Sequence, residues 1–240
     1  MKYAVISDVH SNLEALETAL AEIQKRRADQ LICLGDVVGY GANPSECLKN
    51  VCEAASVVVM GNHDRAVFDV PLRDRFVDWA RTAIEWTAGV LSNAEKKMIL
   101  GFPPLVIDQK AGATWMHASL DEPNEYHYLF SDSDARPSFK LSETDFCFFG
   151  HTHIPSLFSE KTGGVRRLSE GVVSLPKGDR FLLNPGSVGQ PRDKNPKLSF
   201  GVFDSDDRTF EIVRLDYDNR KAAAKIRKAG LPSYLADRLL

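Results

Sequence analysis

Short apolar runs recur along this chain, and they end in clusters of Asp, Asn, Gly and His. Tyr3 to Ser7 leads into Asp8-Val9-His10, Leu31 to Leu34 into Gly35-Asp36, and Val57 to Met60 into Gly61-Asn62-His63-Asp64. Further on, Thr114 to Met116 leads into His117, and Phe146 to Phe149 into Gly150-His151-Thr152-His153. Five of the six histidines fall in these clusters. Runs of this length read as buried strands. The fold must therefore bring several strand ends, and the polar groups that follow them, to one place. Carboxylate, amide and imidazole donors gathered there suit a pair of divalent metal ions about 3.5–4 Å apart.

The first half of the chain alternates strand and helix signals. After the first run, Ser11 to Glu14 reads as a capping box with Ser11 as N-cap, and Leu13, Leu16, Leu20 and Ile23 follow at helical spacing. A Gly/Tyr/Pro-rich loop, Gly39 to Pro44, precedes a second helix that begins near Pro44. This β-α-β-α-β order predicts an α/β fold with a parallel or mixed sheet and helices outside it. Residues 72–100 read as one or two helices, with an apolar face that includes Phe76, Trp79 and Trp86. The second half turns to strands: Leu105–Ile107, Thr114–Met116, Phe146–Phe149, Phe181–Leu183, Leu198–Phe203 and Phe210–Leu215, the last two joined by a hairpin turn at 205–208. Residues 131–145 and 184–197 read as loops, and the tail from about 218 as helical. With no repeat or composition break, 1–240 reads as one domain.

Bulk properties narrow the classes of partner. A net charge of -3 gives no global attraction to nucleic acid or to an anionic membrane. No apolar stretch approaches the roughly 18 residues of a membrane span, and the first strand begins too early to leave room for a signal peptide. The four cysteines lack Cys-x-x-Cys spacing, and two lie in apolar runs, so free thiols and a cytoplasmic location are expected.

Within the clusters, Asp8 and His10 stand two apart, which places both side chains on one side of an extended segment; His151 and His153 repeat that spacing. Asp36, alone after a glycine, is suited to bridging two ions, while Asn62 offers an amide oxygen and His117 an imidazole. His63 reads either as a proton donor to a departing oxygen, with Asp64 fixing its tautomer and raising its pKa, or as a further ligand or capping residue. His127 reads as an ordinary loop or edge-strand residue. Asn12, Arg65 and Arg192 are candidate phosphate contacts, and Tyr40 and Tyr126 candidate stacking rings, although core or rim packing suits either tyrosine as well. Imidazole and oxygen donors without thiolate favour Mn, Fe, Co, Ni or Zn over Ca or Mg, with Mn the expected activating ion.

Together these clusters resemble the calcineurin-like metallophosphoesterases. Gly35-Asp36-Val37-Val38-Gly39-Tyr40-Gly41 and Asn184-Pro185-Gly186-Ser187-Val188-Gly189-Gln190-Pro191-Arg192 resemble the bacterial branch related to diadenosine tetraphosphatases. The resemblance implies a four-layer αββα sandwich of two mixed sheets flanked by helices. It also implies one ion held by Asp8, His10 and His153, a second by Asn62, His117 and His151, with Asp36 bridging, and His63 as general acid with Asp64 its partner. It further implies hydrolysis of phosphodiester or phosphoanhydride bonds of small nucleotide-like substrates by a metal-activated hydroxide. Protein phosphatases of the superfamily carry Asp-Arg where this chain has Val38-Gly39-Tyr40-Gly41, which counts against that activity. A phosphomonoesterase, a nuclease and a metal-free scaffold are the competing readings; the acidic balance weighs against the second and the complete ligand set against the third. The tail residues Ala222, Ile226, Leu231 and Leu235 are expected either to pack within the chain or to form a homodimer contact.

Overall fold

The computed structural model describes residues 1–240. Twelve strands run in order as β1 Lys2–Ile6, β2 Gln30–Cys33, β3 Val57–Val58, β4 Leu105–Asp108, β5 Ala113–Met116, β6 Phe146–Phe148, β7 Ser156–Ser159, β8 Val165–Arg167, β9 Gly171–Ser174, β10 Phe181–Asn184, β11 Leu198–Asp204 and β12 Thr209–Leu215. They form two mixed six-stranded sheets, ordered β3-β2-β1-β11-β12-β9 and β4-β5-β6-β10-β7-β8.

Alternation along the strands separates three apolar layers. Tyr3, Val5, Ile32 and Phe203 of the first sheet, with Leu34 just past β2, meet Trp115, Phe148, Phe181 and Leu183 of the second, forming the core between the sheets. Ala4, Ile6, Leu31 and Cys33 point the other way, onto Leu16 and Ala19 of the helix Leu13–Arg26 and Leu48 and Val51 of the helix Pro44–Ala54. Met116, Cys147 and Leu182 pack outward against Ala135 and Phe139 of the helix Asp132–Leu141. The result is the expected helix–sheet–sheet–helix sandwich.

Within the first sheet β1, β2 and β3 are parallel; within the second, β5, β6 and β10 are parallel. Their carboxyl ends deliver the polar clusters to one edge of the sandwich.

Local details depart from the sequence reading in three places. Asn12, not Ser11, caps the first helix, its side chain accepting the Ala15 N–H at 3.2 Å, because Ser11 takes a left-handed φ of 55° in the turn that carries His10. Residues 132–141 form a helix despite Pro137, since Ser131 and Asp134 make a capping box and Phe139 is buried. Strands β7, β8 and β9 were absent from the sequence expectation: they are three or four residues long, and two of them are largely exposed.

The tail forms the helices Asn219–Lys228 and Ser233–Asp237. Its apolar residues Ala222, Ile226, Leu231 and Leu235 are buried against Tyr40, Ala80 and Ala83 of this same chain, so they pack internally. No helix is long and apolar enough to cross a membrane.

Candidate metal centre

Five of the expected ligands occupy left-handed backbone: Asp8 (φ 54°), His10 (49°), Asp36 (53°), His151 (61°) and His153 (60°). Residues with a Cβ pay of order 1 kcal/mol for that conformation, so the surroundings must hold it. Backbone bonds do so: Asp8 N–H donates to Gly35 C=O at 3.0 Å and His10 N–H to Asp36 C=O at 2.9 Å. The i, i+2 pairs thus converge through tight turns rather than along the extended segment expected from their spacing.

Three imidazoles are oriented through their Nδ1–H, which donates to a backbone carbonyl: His10 to Val38 at 3.2 Å, His117 to Leu34 at 2.8 Å and His153 to Gln190 at 2.6 Å. On the neutral His10 and His153 rings this leaves Nε2 with the lone pair, and on His117 it turns Nε2 toward the Asp36 carboxylate. His10 Nε2 then faces His153 Nε2 at 3.2 Å, with Asp8 Oδ1 3.4 Å from the latter. His117 Nε2 lies 3.1 Å from Asn62 Oδ1 and 3.4 Å from Asp36 Oδ2. His151 Nε2 is buried and has no hydrogen-bond partner.

Asp36 joins the two groups. Its Oδ1 accepts the His63 N–H at 2.8 Å, while Oδ2 stands 3.6 Å from His10 Nε2 and 3.4 Å from His117 Nε2. Two glycines permit the approach. A Cβ on Gly61 would collide with the Asp36 carboxylate, and one on Gly150 would lie 2.7 Å from Asp8 Oδ2.

The donor set fits divalent cations. Burial holds His10, His151 and His153 well below the usual histidine range, so they stand neutral, and two bare lone pairs at 3.2 Å repel unless a cation lies between them. Burial opposes charge on Asp36 too, but His117, His63 and His10 outweigh it and hold the carboxyl well below its usual value. Burial also works against a charged His117, yet Asp36 brings it up to about 9. Asp8 is raised to about 7 by burial. Groups of Asp8, His10 and His153, and of Asp36, His117 and His151, each bring their donor atoms close enough to share one ion, as do His10, Asp36 and His63.

Asp64 is not arranged as the sequence suggested. Its oxygens accept the Val38 N–H at 3.1 Å and the Gly61 N–H at 3.2 Å, and no hydrogen bond joins it to the His63 ring. His63 Nδ1 is buried without a partner and faces Gly39, where a Cβ would lie 2.6 Å away. Burial lowers His63 to about 4, with no upward contribution from Asp64.

A cleft of about 380 Å³ opens beside Asn62, His63 and His151. Tyr40, Tyr126 and Arg192 line it as sequence reasoning suggested, whereas Asn12 and Arg65 do not. The Asn12 amide is spent on Gly189 C=O and the Tyr217 hydroxyl, and Arg65 pairs with Asp69 at 2.9 Å. His127 is exposed and bonds to Glu122, away from the cleft. Trp79, Tyr128, Tyr234 and Arg238 also line the cleft. Their separation along the chain gave no signal, and Trp79 read only as helix face. The 184–192 loop braces the first cluster: Ser187 Oγ donates to Asp8 C=O at 2.8 Å and Gly189 N–H to the same carbonyl at 2.9 Å.

Buried histidine and carboxylate donors at parallel strand ends, beside an open cleft, form groups that could hold metal ions. The profile of the calcineurin-like phosphoesterase superfamily domain matches residues 1–208, and the chain belongs to that superfamily. It is 41% identical over 240 residues to the uncharacterized protein MJ0912 of Methanocaldococcus jannaschii, covering 98% of this chain and 96% of that one. It is 27% identical over 209 residues to the phosphodiesterase YfcE of Escherichia coli K12, covering 86% and 89%. A metallophosphoesterase from Sphaerobacter thermophilus superposes with a TM-score of 0.88 at 34% identity, covering 100% of this chain and 98% of the other. The protein is a metallophosphoesterase, a hydrolase acting on ester bonds.

Proposed function

We propose that the protein hydrolyses phosphodiester or phosphoanhydride bonds of small nucleotide-like substrates with two divalent ions. Asp8, His10 and His153 would hold one and Asn62, His117 and His151 the other, with Asp36 shared. The position of Asp36 Oδ2 beside both His10 and His117 carries this reading. The mixed imidazole and oxygen donors suit Mn, Fe, Co, Ni or Zn, of which Mn is taken as the activating ion. When bound, such ions lower the pKa of water and neutralise charge building on a phosphoryl oxygen.

The chain's own residues supply the remainder. His63 lines the cleft next to Asn62, at a position suited to giving a proton to the departing oxygen. Burial leaves its ring neutral, and the negative charge of a phosphate ester in the cleft would favour its protonation. Asp64 acts as a positioning residue, tying the loop after β2 to the start of the helix Asn62–Ala66. Tyr40, Tyr126 and Arg192 flank the substrate. The buried free thiols Cys33, Cys47 and Cys147 suit the reducing conditions of the cytoplasm.

The test is turnover of bis(p-nitrophenyl) phosphate after chelation and after adding back Mn, followed by a panel of dinucleoside polyphosphates, cyclic nucleotides and phosphomonoesters. Metal-dependent cleavage of the diester is expected. Activity confined to phosphomonoesters would contradict the proposal.

A further inference from the structure

The cleft beside the metal centre has a wall that the clusters do not build. A line of rings runs along it: His63 to Tyr40 with centroids 4.3 Å apart, Tyr40 to Trp79 at 5.6 Å, and Trp79 to Tyr234 at 5.1 Å. Two guanidinium groups lie over these rings. Arg192 stands 5.9 Å from the Tyr40 centroid, and Arg238 stands 5.7 Å from Trp79 and 5.3 Å from Tyr234. Tyr234 and Arg238 belong to the tail, beyond the residues matched to the superfamily domain.

Neither arginine has a carboxylate partner. The Arg192 guanidinium bonds only to the Tyr40 hydroxyl and the Gln190 side chain, and Arg238 forms no ion pair. Glu125, the carboxylate lining the same cleft, is taken by Arg75 at 2.8 Å. Burial, and then the charge of Arg192, push the Arg238 guanidinium down from its usual value. Two like charges thus share a partly dry wall without a counter-ion, which an anion would relieve.

The tail is fixed firmly enough to present them. Lys225 Nζ sits 2.6 Å from the buried Glu14 carboxylate and 2.9 Å from Asn43 Oδ1, and the Asn219 side chain donates to Leu239 C=O at 2.8 Å. Leu235, next to Tyr234 in the short helix Ser233–Asp237, is fully buried.

We infer that Arg192, beside the metal centre, and Arg238, farther along the wall of rings, form an anion subsite for the further phosphates of a nucleoside polyphosphate whose base stacks on Trp79 and Tyr234. The inference rests on the proposed reading of the metal centre and narrows its substrate class. A substrate with one phosphate reaches the metal centre but leaves the subsite empty. A polyphosphate spans both, and its base has the rings of Trp79 and Tyr234 to stack on.

Calorimetric titration of the chelator-treated protein tests this apart from turnover, with ATP, AMP, inorganic triphosphate and adenosine as probes. The unmodified protein is expected to bind ATP at least tenfold more tightly than AMP. Arg238→Gln and Arg192→Gln should each weaken ATP and triphosphate by about tenfold or more, the scale of one charge-assisted hydrogen bond. Arg238→Lys should recover part of that loss. Trp79→Leu should weaken ATP and adenosine but not triphosphate. Equal affinity for ATP and AMP, or triphosphate binding unmoved by both Gln variants, would overturn the inference. Failure of the metal centre would show itself differently, as absent Mn-dependent cleavage of the aryl diester.

Discussion

The Asp64 carboxylate accepts the Val38 N–H at 3.1 Å, binding the loop that carries Asp36 to the short helix that carries Asn62 and His63. Its second oxygen caps that helix through the Gly61 N–H. Asp64 is fully buried, so removing one acceptor leaves an N–H without a partner in a dry place. Asp64→Asn should therefore cost about 1–3 kcal/mol in denaturant unfolding and weaken metal binding along with turnover. Unchanged stability would contradict the bracing role.

Asp36 makes a different demand. Asp36→Asn keeps the shape of the side chain but removes the negative charge shared between His10 and His117. Mn-dependent hydrolysis of an aryl phosphodiester should fall by about a hundredfold or more, the scale of losing a central electrostatic contact in a catalytic site. Metal analysis should show fewer ions per chain. Near-normal turnover would remove the bridging claim.

For His63, turnover and metal content should separate. His63→Asn should lower turnover by about 10²–10⁴-fold while the bound metal stays constant, and the loss should shrink for substrates with good leaving groups. Loss of an ion in this variant would make His63 a ligand of the group it shares with His10 and Asp36.

Away from the site, Ser131 caps the helix Asp132–Leu141 by accepting the Asp134 N–H, and Asp134 reaches back to the Ser131 N–H at 2.9 Å. Ser131→Ala should cost about 1 kcal/mol in thermal unfolding and leave turnover alone. The Ser131 hydroxyl and neighbouring N–H groups hold the Asp134 carboxyl below its usual value. Its contribution is present above the unfolded-state pKa and is lost as pH falls through the lower folded-state value. Melting curves of Asp134→Ala and the parent chain should therefore converge in acid; a gap that persists there would contradict this.

The sequence was most legible where one signal served both structure and chemistry. Runs such as Tyr3 to Ser7 read as buried strands, and the polar group after each run then falls at a strand end. What it concealed was conformation. Left-handed φ at Asp8, His10, Asp36, His151 and His153 is unfavourable for such residues, and only the assembled backbone bonds make it tenable. The nearness of Asp64 to His63 in sequence suggested a catalytic pair, yet two backbone N–H groups from other turns claim the carboxylate. The Ser/Asp/Pro content of 131–145 mimicked a loop, because a capping box and a loop use the same residues. Trp79, Tyr234 and Arg238 meet in the cleft only through tertiary packing of the tail.

Crystals soaked in Mn and measured at the metal's absorption edge test the central claim most directly. Two anomalous peaks are expected, one among Asp8, His10 and His153 and one among Asn62, His117 and His151, with the Asp36 carboxylate between them. A single peak, or peaks lying away from these side chains, would contradict the account.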